Sequence, residues 1–182
     1  MTDMDKTIVD AFEIAEKTHE NIAKLIKRCK SLCKESGYEL FKKRGDFLHW
    51  FEAAEPSSWS TMWFILLFRR KDNEKNSVYV VEVNLTDSFV RVARFIYPHE
   101  MDYDNIRTDD ISVYSWPINN QHNKYSVEKF DDFTKITPPQ DRKYNFGISH
   151  IWLAKFPLSE IKSDNVKEKI FGTFDKLAEL DS

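Results

Sequence analysis

Three apolar runs sit close together near the middle of the chain: MWFILLF (62–68), VYVVEVNL (78–85) and FVRVARFIY (89–97). The connections between them, RRKDNEKNS and TDS, are short and polar. Runs rich in Val, Ile, Phe, Tyr and Trp between turn residues predict strands. Connections this short favour antiparallel neighbours, because a parallel crossover needs about a dozen residues or more. The pattern therefore predicts a three-stranded meander. Its first run is apolar at every position, as expected of a central strand buried on both faces. In the second, Tyr79, Val81, Val83 and Leu85 share one face, while Glu82 and Asn84 share the other with Val78 and Val80. The third alternates Val90, Val92, Arg94 and Ile96 against Phe89, Arg91, Ala93, Phe95 and Tyr97.

Before the meander the period changes. Ile8, Phe12, Ala15, His19, Ile22, Ile26, Cys29 and Cys33 recur in alternating steps of four and three, which predicts one amphipathic helix over 5–36. Gly37 suits the residue just past its end, where a left-handed backbone favours glycine. Packing of this stripe on the sheet or on the C-terminal helix is the expected use of the helix, with a coiled coil, which the 3.5 period also suits, as the alternative. A second helix is expected from 164, capped by Ser163, to 180, with Val166, Ile170, Phe174 and Leu177 inward. Residues 38–52 read as one or two short strands, and 55–58 as a turn. Residues 98–110 read as an acidic loop, 111–116 as a weakly alternating strand and 119–123 as a polar loop. A short helix capped by Ser126 is expected over 127–136, on the spacing of Val127, Phe130 and Phe133, and a last strand over 147–156. The whole predicts an α+β fold: a mostly antiparallel sheet of four to six strands with a central meander, flanked by long N-terminal and C-terminal helices.

Composition fits one domain over residues 1–182: 41% hydrophobic and 31% charged is ordinary for a folded chain. Aromatics reach 14%, enough to fill a core and to furnish a contact surface. The net charge of −3 gives no global attraction to nucleic acid or anionic membrane, but its distribution is uneven. Eight basic residues lie between Ile22 and Arg44 against only Glu35 and Glu39, a local excess of six. No apolar run reaches the ~18 residues of a membrane helix, and the acidic start of the chain does not resemble a signal peptide. Cytoplasmic residence with reduced Cys29 and Cys33 is expected.

Candidate chemistry is sparse. No nucleophile-elbow, phosphate-loop or dinucleotide fingerprint occurs. The group His99-Glu100-Met101-Asp102-Tyr103-Asp104 matches no metal-ligand spacing and reads as a solvated acidic loop. Cys29 and Cys33 read as core thiols, since no second close Cys/His pair completes a zinc site. No cofactor or metal is expected. Glu82 lacks the converging acids of a two-metal nuclease and reads as the ion-pair partner of Arg91 or Arg94.

The preferred contact surface is the basic stretch with nearby aromatics: Lys34, Lys42, Lys43, Arg44, Trp59, Arg69 and Arg70. The expectation is a non-catalytic macromolecule-binding module of the inhibitor, immunity, adaptor or regulatory type. Its partner is a protein, for which an acidic one suits the charge, with nucleic acid as the alternative. Two other readings remain: a nucleic-acid- or nucleotide-processing enzyme with a cleft of Glu82, Arg91, Arg94, His150 and Trp152, or an aromatic-pocket sensor of a small ligand. The sequence pattern specifies no oligomeric state.

Overall fold

The structure is a computed structural model and describes residues 3–41, 48–49, 63–72, 74–101, 103, 125–139 and 147–180. Its frame is an antiparallel sheet. The strands are β1 (Tyr38–Leu40), β2 (Leu48–His49), β3 (Trp63–Arg70), β4 (Ser77–Asn84), β5 (Phe89–Ile96), β6 (Ser126–Phe130), β7 (Phe133–Thr137) and β8 (His150–Pro157). Seven of them form one path, β1-β3-β4-β5-β8-β7-β6, and the two-residue β2 pairs with β3. The meander forms as its alternation demands, with Leu66 opposite Val81 and Val81 opposite Val92.

The first helix, α1 (Asp3–Leu32), ends in a Schellman turn. Gly37 takes φ +81°, the Tyr38 amide donates to the Cys33 carbonyl at 2.8 Å, and the Gly37 amide donates to Lys34 at 3.4 Å. That turn reverses the chain directly into β1.

The sheet is apolar on both sides. One face carries Phe64, Leu66, Phe68, Tyr79, Val81, Val90 and Val92. It packs against Ile22, Cys29, Leu32 and Cys33 of α1 and against Val166, Ile170, Phe171, Phe174 and Leu177 from the C-terminal helical segment. Tyr38, Tyr79 and Phe174 meet there with ring centroids 5.1 Å apart. The other face carries Ile65, Leu67, Val78, Val80, Ala93, Phe95, Ile151 and Leu153, joined by Phe41, Ile136 and Ile148.

Three expectations need correction. The sheet exceeds four to six strands, partly because 127–136 is a hairpin rather than a helix. Val127 faces Ile136 and Phe130 faces Phe133 across a two-residue turn, in which Asp131 adopts φ +41°. The three-residue spacing of Phe130 and Phe133, read as a helical step, is also the spacing of cross-strand neighbours in a tight hairpin. The long C-terminal helix is also not what forms. A π-helical stretch, Lys167–Gly172, leads into a seven-residue helix, α2 (Thr173–Glu179), with no side-chain cap. The wider π turn lets the consecutive residues Ile170 and Phe171 both face the sheet. Finally, the α1 stripe is covered only over its second half: Phe12 and Ala15 are exposed, whereas Ile22, Cys29 and Cys33 are buried. The strand expected over 111–116 lies outside the described residues.

Candidate functional site

Among the described residues, two largely buried ion pairs occupy opposite faces of the sheet. Glu82, 1% exposed, stands directly opposite Arg91, whose Nη1 donates to its Oε2 at 3.1 Å. The Arg91 guanidinium also lies 4.4 Å from the ring centre of Phe89, and Lys155 Nζ lies 4.1 Å from the same ring. Burial lowers the Arg91 pKa from its ordinary value, and the charge of Glu82 opposes that shift. Here two charges out of water are held by one another.

Arg94 points to the helical face. Its Nη2 donates to Glu74 Oε1 at 2.6 Å, its Nε approaches Ser77 Oγ at 3.2 Å, and its Nη1 donates to the Leu177 carbonyl at 3.0 Å. An arginine on the last carbonyls of a helix satisfies acceptors with no partner inside that helix. Tyr79 adds a hydroxyl hydrogen bond to Glu74 at 2.7 Å. Burial pushes the Glu74 carboxyl up, but the hydrogen bonds from Ser77 and Tyr79 and the Arg94 charge outweigh it and hold the pKa below its usual value. Arg94 is thus a clamp tying β5, the loop before β4 and the C-terminal helix together.

The five residues of the expected cleft are therefore divided by the sheet. Glu82 and Arg91 lie on one face; Arg94, His150 and Trp152 follow on the other, with Arg94 opposite Trp152 and Ile96 opposite His150. Trp152 is buried and packs with Phe130, ring centroids 5.3 Å apart. His150 Nδ1 lies 3.1 Å from Ser149 Oγ.

The described members of the basic surface are also engaged. Arg69 meets Glu39 at 3.0 Å and lies 5.8 Å from the Tyr103 ring, while Arg70 meets Asp72 at 2.9 Å. Alternation sends Arg69 and Arg70 to opposite sides of β3. Lys34 is exposed, and its carbonyl accepts from Lys71 Nζ at 3.0 Å. Lys42, Lys43, Arg44 and Trp59 lie outside the described residues.

No protein-family model, curated protein or solved structure matches this chain.

Cys29 and Cys33 are buried free thiols. Burial, then the neighbouring Cys33, pushes the Cys29 pKa up to about 12, so the nucleophilic thiolate is suppressed at neutral pH. His99 and Glu100 of the acidic loop are exposed, and the Tyr103 hydroxyl is tucked 2.7 Å from the Ser77 carbonyl. No helix among the described residues is long and apolar enough to cross a membrane.

The surface that sequence reasoning missed is the first half of α1. Val9 is 47% exposed, Phe12 72% and Ile14 66%. Contiguous apolar patches left in water are candidate contact surfaces. A signal was present in the sequence. Val9 and Ile14 lie off the apolar stripe, so this half of the helix is apolar on several sides; the off-stripe positions Lys24, Lys27, Lys30 and Lys34 of the second half are charged. Beside α1, where this arm meets the body, an open groove of about 580 Å³ runs along the segment that follows β8. Ile22, Leu25, Leu158, Ile161 and Val166 line it, with Lys24 and Lys162.

Proposed function

We propose that this chain is a non-catalytic macromolecule-binding module, of the inhibitor, immunity, adaptor or regulatory type, whose partner is a protein. The observation that carries the reading is the exposed arm of α1, above all Phe12 at 72% exposure. An amphipathic helix with unburied apolar side chains is a standard donor to a hydrophobic groove, with anchors three or four residues apart. Val9 and Phe12 have that spacing. Its C-terminal continuation is fixed by the core through Ile22, Cys29 and Leu32, which sets where the arm leaves the body.

Support for the basic surface is weaker, since Arg69 and Arg70 are engaged by Glu39 and Asp72. The enzyme reading gains nothing from the sheet, which separates Glu82 and Arg91 from Arg94 and His150.

The test is partner recovery from a native lysate with wild type, a Val9→Ala/Phe12→Ala variant and a Lys34→Glu variant. Recovered proteins are identified, purified and titrated directly. The expected result is one stoichiometric protein whose affinity falls about tenfold or more in the arm variant, the cost of deleting an anchor of about 1.4 kcal/mol or more. Equal affinity of all three proteins for every recovered partner refutes the reading. Loss in the Lys34→Glu variant alone moves the contact to the basic surface.

A further inference from the structure

Ile14 belongs to a different side of the arm from Val9 and Phe12. At about 100° per residue, Val9 and Phe12 lie about 60° apart around the helix, and Ile14 about 140° or more from each. Ile14 falls instead within about 40° of Thr18 and Leu25. Those two residues border the groove between α1 and the 158–163 segment. One continuous strip of α1 thus passes from an exposed isoleucine into an apolar groove with lysines on its lining.

Charge along α1 is split. Residues 3–20 carry six acidic and two basic side chains, while residues 21–34 carry five basic and no acidic ones. An antiparallel neighbour of the same sequence reverses that order and sets acid against base. When Ile14 of one copy is laid against Leu25 of the other, the flanking charges fall into opposition. Glu13 faces Lys24 and Asp10 faces Arg28. A two-fold axis repeats each pairing. Within the chain, Lys24 makes a long contact of 3.8 Å to Glu20, with both side chains exposed. The overlap from residue 10 to residue 28 is about 27 Å of helix, ample for five turns of contact.

We propose that two copies of this chain pair antiparallel through α1. Ile14 of each arm seats in the partner copy's groove at Leu25, Leu158 and Ile161, and Glu13–Lys24 and Asp10–Arg28 pairs fix the register. The Val9–Phe12 side stays outside this contact. The pairing therefore goes beyond the partner-binding reading and leaves that surface free at both ends of the dimer.

Sedimentation equilibrium of the full chain over a range of concentrations and salt tests this, with circular dichroism as the control for folding. Wild type is expected to be a monomer–dimer equilibrium that weakens with salt. Ile14→Asp is expected to remain folded and to lose the dimer. Glu13→Lys and Lys24→Glu are each expected to weaken association about tenfold, because every dimer contains two copies of each pair. The double swap, Glu13→Lys with Lys24→Glu, restores it, which no effect on the monomer's own fold would do. A wild-type monomer at all concentrations overturns the proposal, as does a dimer indifferent to Ile14→Asp. Additive weakening in the double swap overturns the register. Partner binding that depends on Val9 and Phe12 survives any of these results, so the two readings fail separately.

Discussion

The two halves of α1 are one helix with two fates. From Ile22 onward the stripe turns inward: Leu25 and Ile26 are half-buried, Cys29 is 0% and Leu32 4% exposed, and the chain closes into β1 through Gly37. Before His19 every described side chain except Thr18 is exposed, aromatic and aliphatic ones included. His19 marks the boundary, with its ring edge-on to Phe64 at 6.3 Å. Periodicity is the same on both sides of that boundary. It reports that a helix has an apolar side; it does not report whether the chain's own body is long enough to cover it. The second half belongs to the core, and the first half stands in solvent.

Substitutions can break this contrast. The largest effect is expected at the clamp that holds the covering layer in place. Arg94→Met leaves Glu74 without its cation and the Leu177 carbonyl without its donor, and should cost about 3–5 kcal/mol in chemical denaturation. Next, Ile22→Ala at the covered half should cost about 2–4 kcal/mol, as a buried isoleucine truncation does. At the uncovered half, Phe12→Ala and Ile14→Ala should each change monomer stability by no more than about 0.5 kcal/mol. A cost above that for Phe12→Ala erases the contrast, because it means that the arm is packed on its own chain.

A pH measurement sharpens the role of the clamp. The folded-state pKa of Glu74 lies below its ordinary value of 4.5. A depressed carboxyl contributes stability that is full above the unfolded pKa and is lost as pH falls through the folded one. Wild type should therefore lose stability below about pH 4.5 more steeply than Glu74→Gln. Parallel acid limbs contradict this. The smallest expected effect is chemical rather than energetic. Native Cys29, with its pKa pushed up to about 12, should resist alkylation at neutral pH and react only on unfolding.

Much of the frame was legible in the sequence, for identifiable reasons. The meander declared itself through continuous apolar runs and short connections, which leave an antiparallel partner as the only close neighbour. Gly37 marked the end of α1 because few residues tolerate its backbone conformation. The β6–β7 hairpin was hidden because its turn is Asp131-Asp132 with no glycine, and because Val127, Phe130 and Phe133 fit a helix equally well. Glu82 was legible as half of an ion pair with Arg91 or Arg94 as its partner. The choice depended on the register across the 85–88 turn, and a one-residue slip would have reversed it. Glu74 was not foreseen as the partner of Arg94, since nothing local joins a loop residue to a strand twenty positions later. The exposed arm was half legible: Val9 and Ile14 broke the stripe, but exposure depends on where the sheet ends.

Hydrogen exchange along α1 tests the central claim most directly, measured on dilute protein and again as concentration rises. The account predicts fast exchange for amides 6–17 in the dilute monomer, strong protection for amides 22–32 at all concentrations, and protection of the arm only when a partner copy or another protein covers it. Equal, concentration-independent protection of both halves would contradict it, because the arm would then be covered by its own chain and would have nothing to offer a partner.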